Sequence, residues 1–245
     1  MVGPNGDIYA TTDGAENWKK AGVNTEVCCN FDRQLFVSPT DSQRLFMISI
    51  GGGGDASYSR DGGQNWTLMR DEQGQMSARS LALDPANPDT LYLGTAGYGV
   101  YKSSDGGQTW AAANRGMLDY HITALVVDPG APGTIYAGGD DGELFKTVDG
   151  GQAWADLTEQ LPIDRFTRAT TTHLAVQPGA PGTVFLLMDQ VGLLVSRDGG
   201  TKWQVLGRPG EEDYPQFTAM TTLFEPQLTV VVGIKDKGGW RYRPN

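Results

Sequence analysis

The sequence predicts an all-β fold made of four-stranded antiparallel units repeated about five times, and three observations predict it. An eight-residue stretch recurs five times along 245 residues: Thr11 to Trp18, Ser59 to Trp66, Ser103 to Trp110, Thr147 to Trp154 and Ser196 to Trp203. A second landmark, a proline-marked turn at Pro39, Pro85, Pro129, Pro178 and Pro226, alternates with it. Glycine reaches 34 and proline 13 with no low-complexity run, which suits many short strands joined by turns.

The copy Ser103-Ser104-Asp105-Gly106-Gly107-Gln108-Thr109-Trp110 shows why the stretch is a hairpin. Ser103 and Asp105 are two residues apart, so they point to the same side of an extended chain and both accept from nearby backbone N–H groups. Gly106 and Gly107 allow the positive φ of a tight turn, which a residue with a Cβ resists. Trp110 starts the returning strand with a large apolar face and one N–H donor. These residues resemble the Asp-box, or BNR, repeat, Ser-x-Asp-x-Gly-x-Thr-Trp, of sialidases, the sortilin family, xyloglucan-cleaving glycosidases and photosystem assembly factors. Ser103 to Trp110 matches at every position, and Asp and Trp never vary among the copies. Ala15 replaces the second Gly in the first copy, and Asn17, Asn65, Ala153 and Lys202 replace the Thr, so those turns are expected to keep their fold with fewer polar contacts. The resemblance implies a β-propeller and a secreted or cell-surface setting. Families that carry the repeat share a fold and not a chemistry, so it does not assign an activity.

The elements follow in order from the repeat. Asp13, Asp61, Asp105, Asp149 and Asp198 are spaced by 48, 44, 44 and 49 residues, the period of propeller blades. Short apolar runs precede the proline turns (Leu81 to Leu83, Leu125 to Val127, Leu174 to Val176) and follow them (Leu91 to Leu93, Ile135 to Ala137, Val184 to Leu187), giving strands one and two of each blade. Strand three runs into the Asp box, as in Gly99 to Lys102 and Leu144 to Lys146, and strand four carries the Trp. The Asp boxes then lie on the periphery and are structural. Five inner pairs and five outer pairs are out of phase, so a single domain over residues 1–245 starts and ends mid-blade. Joining the outer pair at Asp7 to Lys20 with the inner pair at Phe217 to Ile234 would close a five-bladed ring and remove exposed sheet edges. Gly238 to Arg243 reads as a surplus third strand that competes with Gly6 to Thr11 for one place, and the alternative is a piece of a six- or seven-bladed ring.

The formal charge of −10 opposes binding to nucleic acid or to an anionic membrane surface, since both rest on Lys and Arg. Met1 to Asp7 has neither a basic n-region nor an apolar h-region, and no run approaches the ~20 apolar residues of a membrane span. The two cysteines, Cys28 and Cys29, are adjacent and point to opposite faces of an extended strand, so they read as small core residues and not as a bridge. The two histidines, His121 and His173, have no partner at zinc-site spacing, and Asp140-Asp141-Gly142-Glu143 lacks the alternating oxygen ligands of a calcium loop and reads as a solvated turn. No metal or cofactor is expected. Gly51 to Gly54 has no following Lys-Ser/Thr and reads as a loop at the channel mouth.

Loops vary while hairpins stay constant, which is the pattern of a fixed scaffold with function on its loops. The inter-blade loops bring Asp119, Tyr120 and His121, then Asp164, Arg165 and Phe166, then Asp213 and Tyr214 to one face. A carboxylate beside an aromatic ring could stack on a sugar and accept its hydroxyls, so the ligand is expected to be a carbohydrate or a protein. Binding or scaffolding through this face is the primary expectation. The alternative is a glycoside hydrolase with a catalytic pair among Asp119, Asp164 and Asp213, which would have to face each other at ~5–5.5 Å or ~6.5–9.5 Å. Cationic partners fit the charge. The oligomeric state is not legible.

Overall fold

The computed structural model describes residues 2–3, 6–26, 32–50, 54–71, 74, 76–118, 121–164, 169–207, 217–223, 229–235 and 238–243. Among these the chain is all-β, with one 3-10 turn at Thr158–Gln160. It divides into two compact units, Met1–Ala112 and Ala113–Asn245.

In the first unit, β1 (Asp7–Ala10) and β2 (Lys19–Val23) form a two-stranded ribbon, and two four-stranded meanders follow. The first meander is β3 (Asp32–Val37), β4 (Leu45–Ile50), β5 (Ala56–Ser59) and β6 (Thr67–Leu68), and the second is β7 (Ala78–Leu83), β8 (Leu91–Thr95), β9 (Val100–Ser103) and β10 (Ala111–Ala112). The second strand of each meander has a ladder on both edges and neighbours on both faces, which explains why it reads as an unbroken apolar run: every residue of β8 is buried. Phe46, Ile48, Met69, Leu81, Leu91, Leu93 and Trp110 form one core across the two meanders. The ribbon is fitted against the first of them. Ile8 packs with Met47, Asn24 Nδ2 donates to Ser57 Oγ at 2.7 Å, and a Cβ at Gly22 would collide with the Gly63 carbonyl oxygen.

The second unit holds the meander β11 (Ile122–Val127), β12 (Ile135–Gly139), β13 (Leu144–Thr147) and β14 (Ala155–Asp156), then the meander β15 (Thr171–Val176), β16 (Val184–Met188), β17 (Gly192–Ser196) and β18 (Gln204–Gly207). A three-stranded sheet completes it: β19 (Phe217–Leu223), β20 (Thr229–Ile234) and β21 (Gly238–Tyr242). The chain is thus a β-propeller of five blade sheets, and the strand positions agree with those expected from the proline turns and Asp boxes. The competition for the third place of the last blade is decided in favour of the surplus stretch. β21 pairs with β20 from Val230↔Tyr242 to Ile234↔Gly238, while β1 pairs with β2. A strand has two edges, and both edges of β20 are taken, so Gly6 to Thr11 does not serve as its partner.

The Asp boxes are self-capped hairpins. In Ser103 to Trp110, Gly107 N donates to Ser103 Oγ at 2.9 Å, Gln108 N and Thr109 N each donate to Asp105 Oδ1 at 2.9 Å, and Thr109 Oγ1 donates to Asp105 Oδ2 at 2.6 Å. Trp110 Nε1 donates to Gly107 O at 3.1 Å. Gly106 and Gly107 sit at φ 74° and 89°, and Ala15 accepts φ 75° in the copy that lacks the second Gly. The expectation of fewer contacts where Thr is replaced holds only in part. Asn17 and Asn65 reach the box carboxylate through Nδ2 at 2.8 and 2.6 Å, an amide donor one bond farther out than the Thr hydroxyl meeting the same Oδ2. Ala153 and Lys202 give the carboxylate only their backbone N–H.

These donors hold the carboxylates in the charged form. Asp13 is lowered to about 2, first by Thr11 and then by Asn17, and Asp61 to about 2, first by the Asn65 N–H. At Asp105 desolvation pushes upward, but the bonds from Thr109, Ser103 and Gln108 together outweigh it and hold the group at about 2. Asp149 is lowered by Thr147 and Asp198 by the Lys202 N–H. Two boxes also receive a cation from the preceding blade: Arg60 Nη2 donates to Asp105 O at 3.3 Å, and Lys146 Nζ to Gly199 O at 2.9 Å. The boxes are structural, and each carboxylate accepts several bonds from its own turn.

Candidate functional site

The end of each blade opposite its Asp box carries the loop into strand one and the turn between strands two and three. In the β11–β14 blade these are the residues around Leu118 and His121 and the turn 140–143, followed by the loop that leaves β14. That last loop is built outward from apolar anchors. Leu157 N donates to Leu144 O at 2.7 Å, and Leu161, buried with Leu144, Leu186, Met188 and Leu194, pins the loop to the core together with Ile163. Thr158 N donates to Asp156 Oδ1 at 2.8 Å, which starts the short 3-10 turn, and Leu144 N donates to Thr158 Oγ1 at 3.2 Å. The turn 140–143 is closed by Asp141 N donating to Glu143 Oε2 at 3.0 Å, and Thr170 Oγ1 donates to Asp140 O at 3.0 Å.

Between this turn and this loop lies a cavity of about 530 Å³ lined by Asp141, Gly142, Asp156, Thr158, Glu159, Leu161, Ile163 and Asp164. Among the described lining residues, Asp141, Asp156, Glu159 and Asp164 bring carboxylates to the cavity and Leu161 and Ile163 its apolar part. Of the sequence-predicted site residues, Asp164 lines it. His121 is exposed at the start of β11 and is not among the lining residues. Asp119, Tyr120, Arg165, Phe166, Asp213 and Tyr214 lie outside the described residues, as do Cys28, Cys29 and Gly51 to Gly53. Gly54 is described: at φ 67° it donates no side chain where one would not fit, since a Cβ there would lie 2.6 Å from Ala78 N.

Asp141, Asp156 and Glu159 were not singled out from the sequence as site residues. Asp140 to Glu143 reads locally as a solvated turn, and only the antiparallel pairing of β14 with β13 brings the loop after β14 beside it. The available signal was Leu157, Leu161 and Ile163, apolar residues in this loop that mark it as folding back onto the core. The neighbouring blade has a further device of this kind. Asp189, in the turn between β16 and β17, accepts from Thr170 N at 2.6 Å and its own N–H donates to Thr170 O at 3.0 Å. Burial raises this carboxyl in spite of the Thr170 bond. His173 on β15 is lowered by burial, and its Nδ1 has no hydrogen-bond partner among the described residues. Among the described residues no group of three or more His, Cys, Asp or Glu is placed to hold a metal ion, and no helix is long and apolar enough to cross a membrane.

With hairpins, strand order and loop face in place, the chain is defined as an Asp-box repeat β-propeller. The BNR/Asp-box repeat family matches residues 57–68. No curated protein matches by sequence. Among solved structures the chain is similar to a GH74 xyloglucanase from Xanthomonas campestris, with 17% identity and a TM-score of 0.67 over 86% of this chain and 36% of that one. It is also similar to YCF48 bound to a D1 peptide, with 20% identity and a TM-score of 0.68 over 97% of this chain and 71% of that one. YCF48 from Cyanidioschyzon merolae gives 15% identity and a TM-score of 0.66 over 99% and 78%. The chain spans about a third of the xyloglucanase's length. At these identities the likeness is one of fold.

Proposed function

We propose that this protein is a non-catalytic binding propeller that takes its ligand on the loop-bearing face, with the acidic recess of the β11–β14 blade as the anchoring pocket. The observation that carries this reading is the convergence of Asp141, Asp156, Glu159 and Asp164 on one cavity of about 530 Å³ floored by Leu161 and Ile163. Such a recess suits a protein segment that presents a lysine or arginine beside an aliphatic residue, because the carboxylates accept from the cation while the floor covers its aliphatic stem. In this reading the wider face also carries Asp119, Tyr120, His121, Arg165, Phe166, Asp213 and Tyr214. YCF48, which shares the fold, is described bound to a peptide, and that supports a polypeptide ligand.

The probe is a labelled peptide alternating lysine and leucine, titrated with the full chain and followed by fluorescence anisotropy. Binding should be saturable, weaken as ionic strength rises, and be lost in Asp156→Asn/Asp164→Asn with the fold intact by circular dichroism. Equal affinity of that variant sinks the reading. A second reading, glycoside hydrolysis, rests on the same carboxylates sharing one recess. Release of reducing ends from xyloglucan, abolished by Asp164→Asn, would replace the binding reading with that one.

A further inference from the structure

The recess of the β11–β14 blade is held in place from the blade that follows it. Leu161, which lines the recess, forms one core with Leu144 and with Leu186, Met188 and Leu194 of β16 and β17, and Ala169, 0% exposed, belongs to that core as well. Thr170 stands between this anchor and the first residue of β15. Two bonds clamp its backbone to the turn between β16 and β17: Thr170 N donates to Asp189 Oδ1 at 2.6 Å, and Asp189 N donates to Thr170 O at 3.0 Å. Its side chain reaches the other blade, where Thr170 Oγ1 donates to Asp140 O at 3.0 Å.

Asp140 opens the turn 140–143, and the next two residues, Asp141 and Gly142, line the recess. The turn is braced internally, because Asp141 N donates to Glu143 Oε2 at 3.0 Å and Gly139 N donates to Glu143 O at 2.9 Å. A displacement at Asp140 is therefore passed on to Asp141. Like charges brought to one cavity oppose their own approach, so a turn that carries one of them toward Asp156, Glu159 and Asp164 needs a restraint. In the first unit, where β7 begins, the contact with the turn of the preceding blade is made by backbone alone, Ala78 N donating to Gly54 O at 2.6 Å. At Thr170 the contact runs through a side chain, and a single hydroxyl couples the recess to its neighbour.

We infer that Thr170, seated on Asp189, is a positioning residue for the acidic recess: its hydroxyl fixes the turn 140–143, and through that turn the β15–β18 blade sets the affinity of the recess for a cationic segment. The inference rests on the reading of the recess as a pocket for a polypeptide that presents a lysine or arginine. A rim that is already in place when the ligand arrives spares the cost of ordering it on binding, and a rim released from Thr170 does not.

The test uses the full chain, the labelled peptide alternating lysine and leucine, and two variants that leave the charge unchanged. Thr170→Val keeps the branched shape and removes the hydroxyl, whereas Thr170→Ser keeps the hydroxyl. Thr170→Val should weaken the peptide about three- to tenfold, the range of one lost hydrogen bond, and Thr170→Ser should stay within about twofold of the unsubstituted chain. Amide hydrogen exchange at residues 140–143 should quicken in Thr170→Val and not in Thr170→Ser, with β16 and β17 unchanged. Combined with Asp141→Asn, Thr170→Val should weaken the peptide no further, since the hydroxyl acts through the turn that carries that carboxylate. Equal affinity of the valine and serine variants overturns the inference and leaves the recess standing as a pocket. A loss that is undiminished in combination with Asp141→Asn, or exchange that quickens throughout both blades, overturns it too and gives Thr170 a general part in stability. A chain that does not bind the peptide at all removes the pocket, and the inference with it.

Discussion

Replacing Trp110 with alanine tests the structural account of the Asp box most directly. The indole is 6% exposed, packed in the core with Met69 and Leu91, and its N–H is satisfied by Gly107 O. A buried tryptophan withdraws ~150–250 Å² from water, which at ~25 cal/mol/Å² is ~4–6 kcal/mol as an upper bound from an extended reference chain. With partial collapse of the site, Trp110→Ala should cost ~3–5 kcal/mol. Trp18 occupies the same place in the first box but is 43% exposed, so on buried area Trp18→Ala should cost only about three-fifths as much. Trp110→Phe keeps most of the packing and loses the bond to Gly107, for ~1–2 kcal/mol. The assay is urea unfolding followed by far-UV circular dichroism, which does not depend on tryptophan emission. If Trp110→Ala and Trp18→Ala prove equally destabilising, the box Trp is not held by burial and the argument from packing fails.

Acid should unfold the protein through its boxes. Their carboxylates are depressed, Asp13, Asp61 and Asp105 to about 2, so the stability they contribute is complete above the ordinary value of 3.8 and is lost as pH falls from there toward about 2. Urea midpoints measured from pH 5 to 2 should drop across that window, and a flat profile would contradict it. Thr109→Asn should be close to neutral and Thr109→Ala should cost ~1 kcal/mol, because Asn17 and Asn65 already show that the amide reaches the carboxylate; thermal melts compare the two. Gly22→Ala places a Cβ against the Gly63 carbonyl and should loosen the β1–β2 ribbon, read as faster hydrogen exchange at residues 7–10 and 19–23 with the β7–β10 blade unchanged.

Much of this protein is decided by local chemistry that a sequence displays. The Ser-x-Asp-Gly-Gly unit determines its own hairpin, because each donor and acceptor it needs lies within four residues and the glycines alone allow the turn. The alternation of those hairpins with proline turns determines the four-stranded meander, and the unbroken apolar runs of β8, β12 and β16 announce strands covered on both faces. Asp164 was legible as a site candidate because it stands in a loop that varies between blades. What tertiary structure alone decided are relations between segments distant along the chain. Whether Gly6 to Thr11 or Gly238 to Arg243 would be the third strand of the last blade depends on competition for a single edge of β20, and both segments satisfy the same local pattern. Asp141 joins Asp156 and Asp164 only because β14 pairs antiparallel with β13 and returns the chain beside the turn that precedes β13. Local interactions choose hairpins one at a time, whereas an edge or a recess is a property of two segments at once, set by packing and pairing that no short stretch contains.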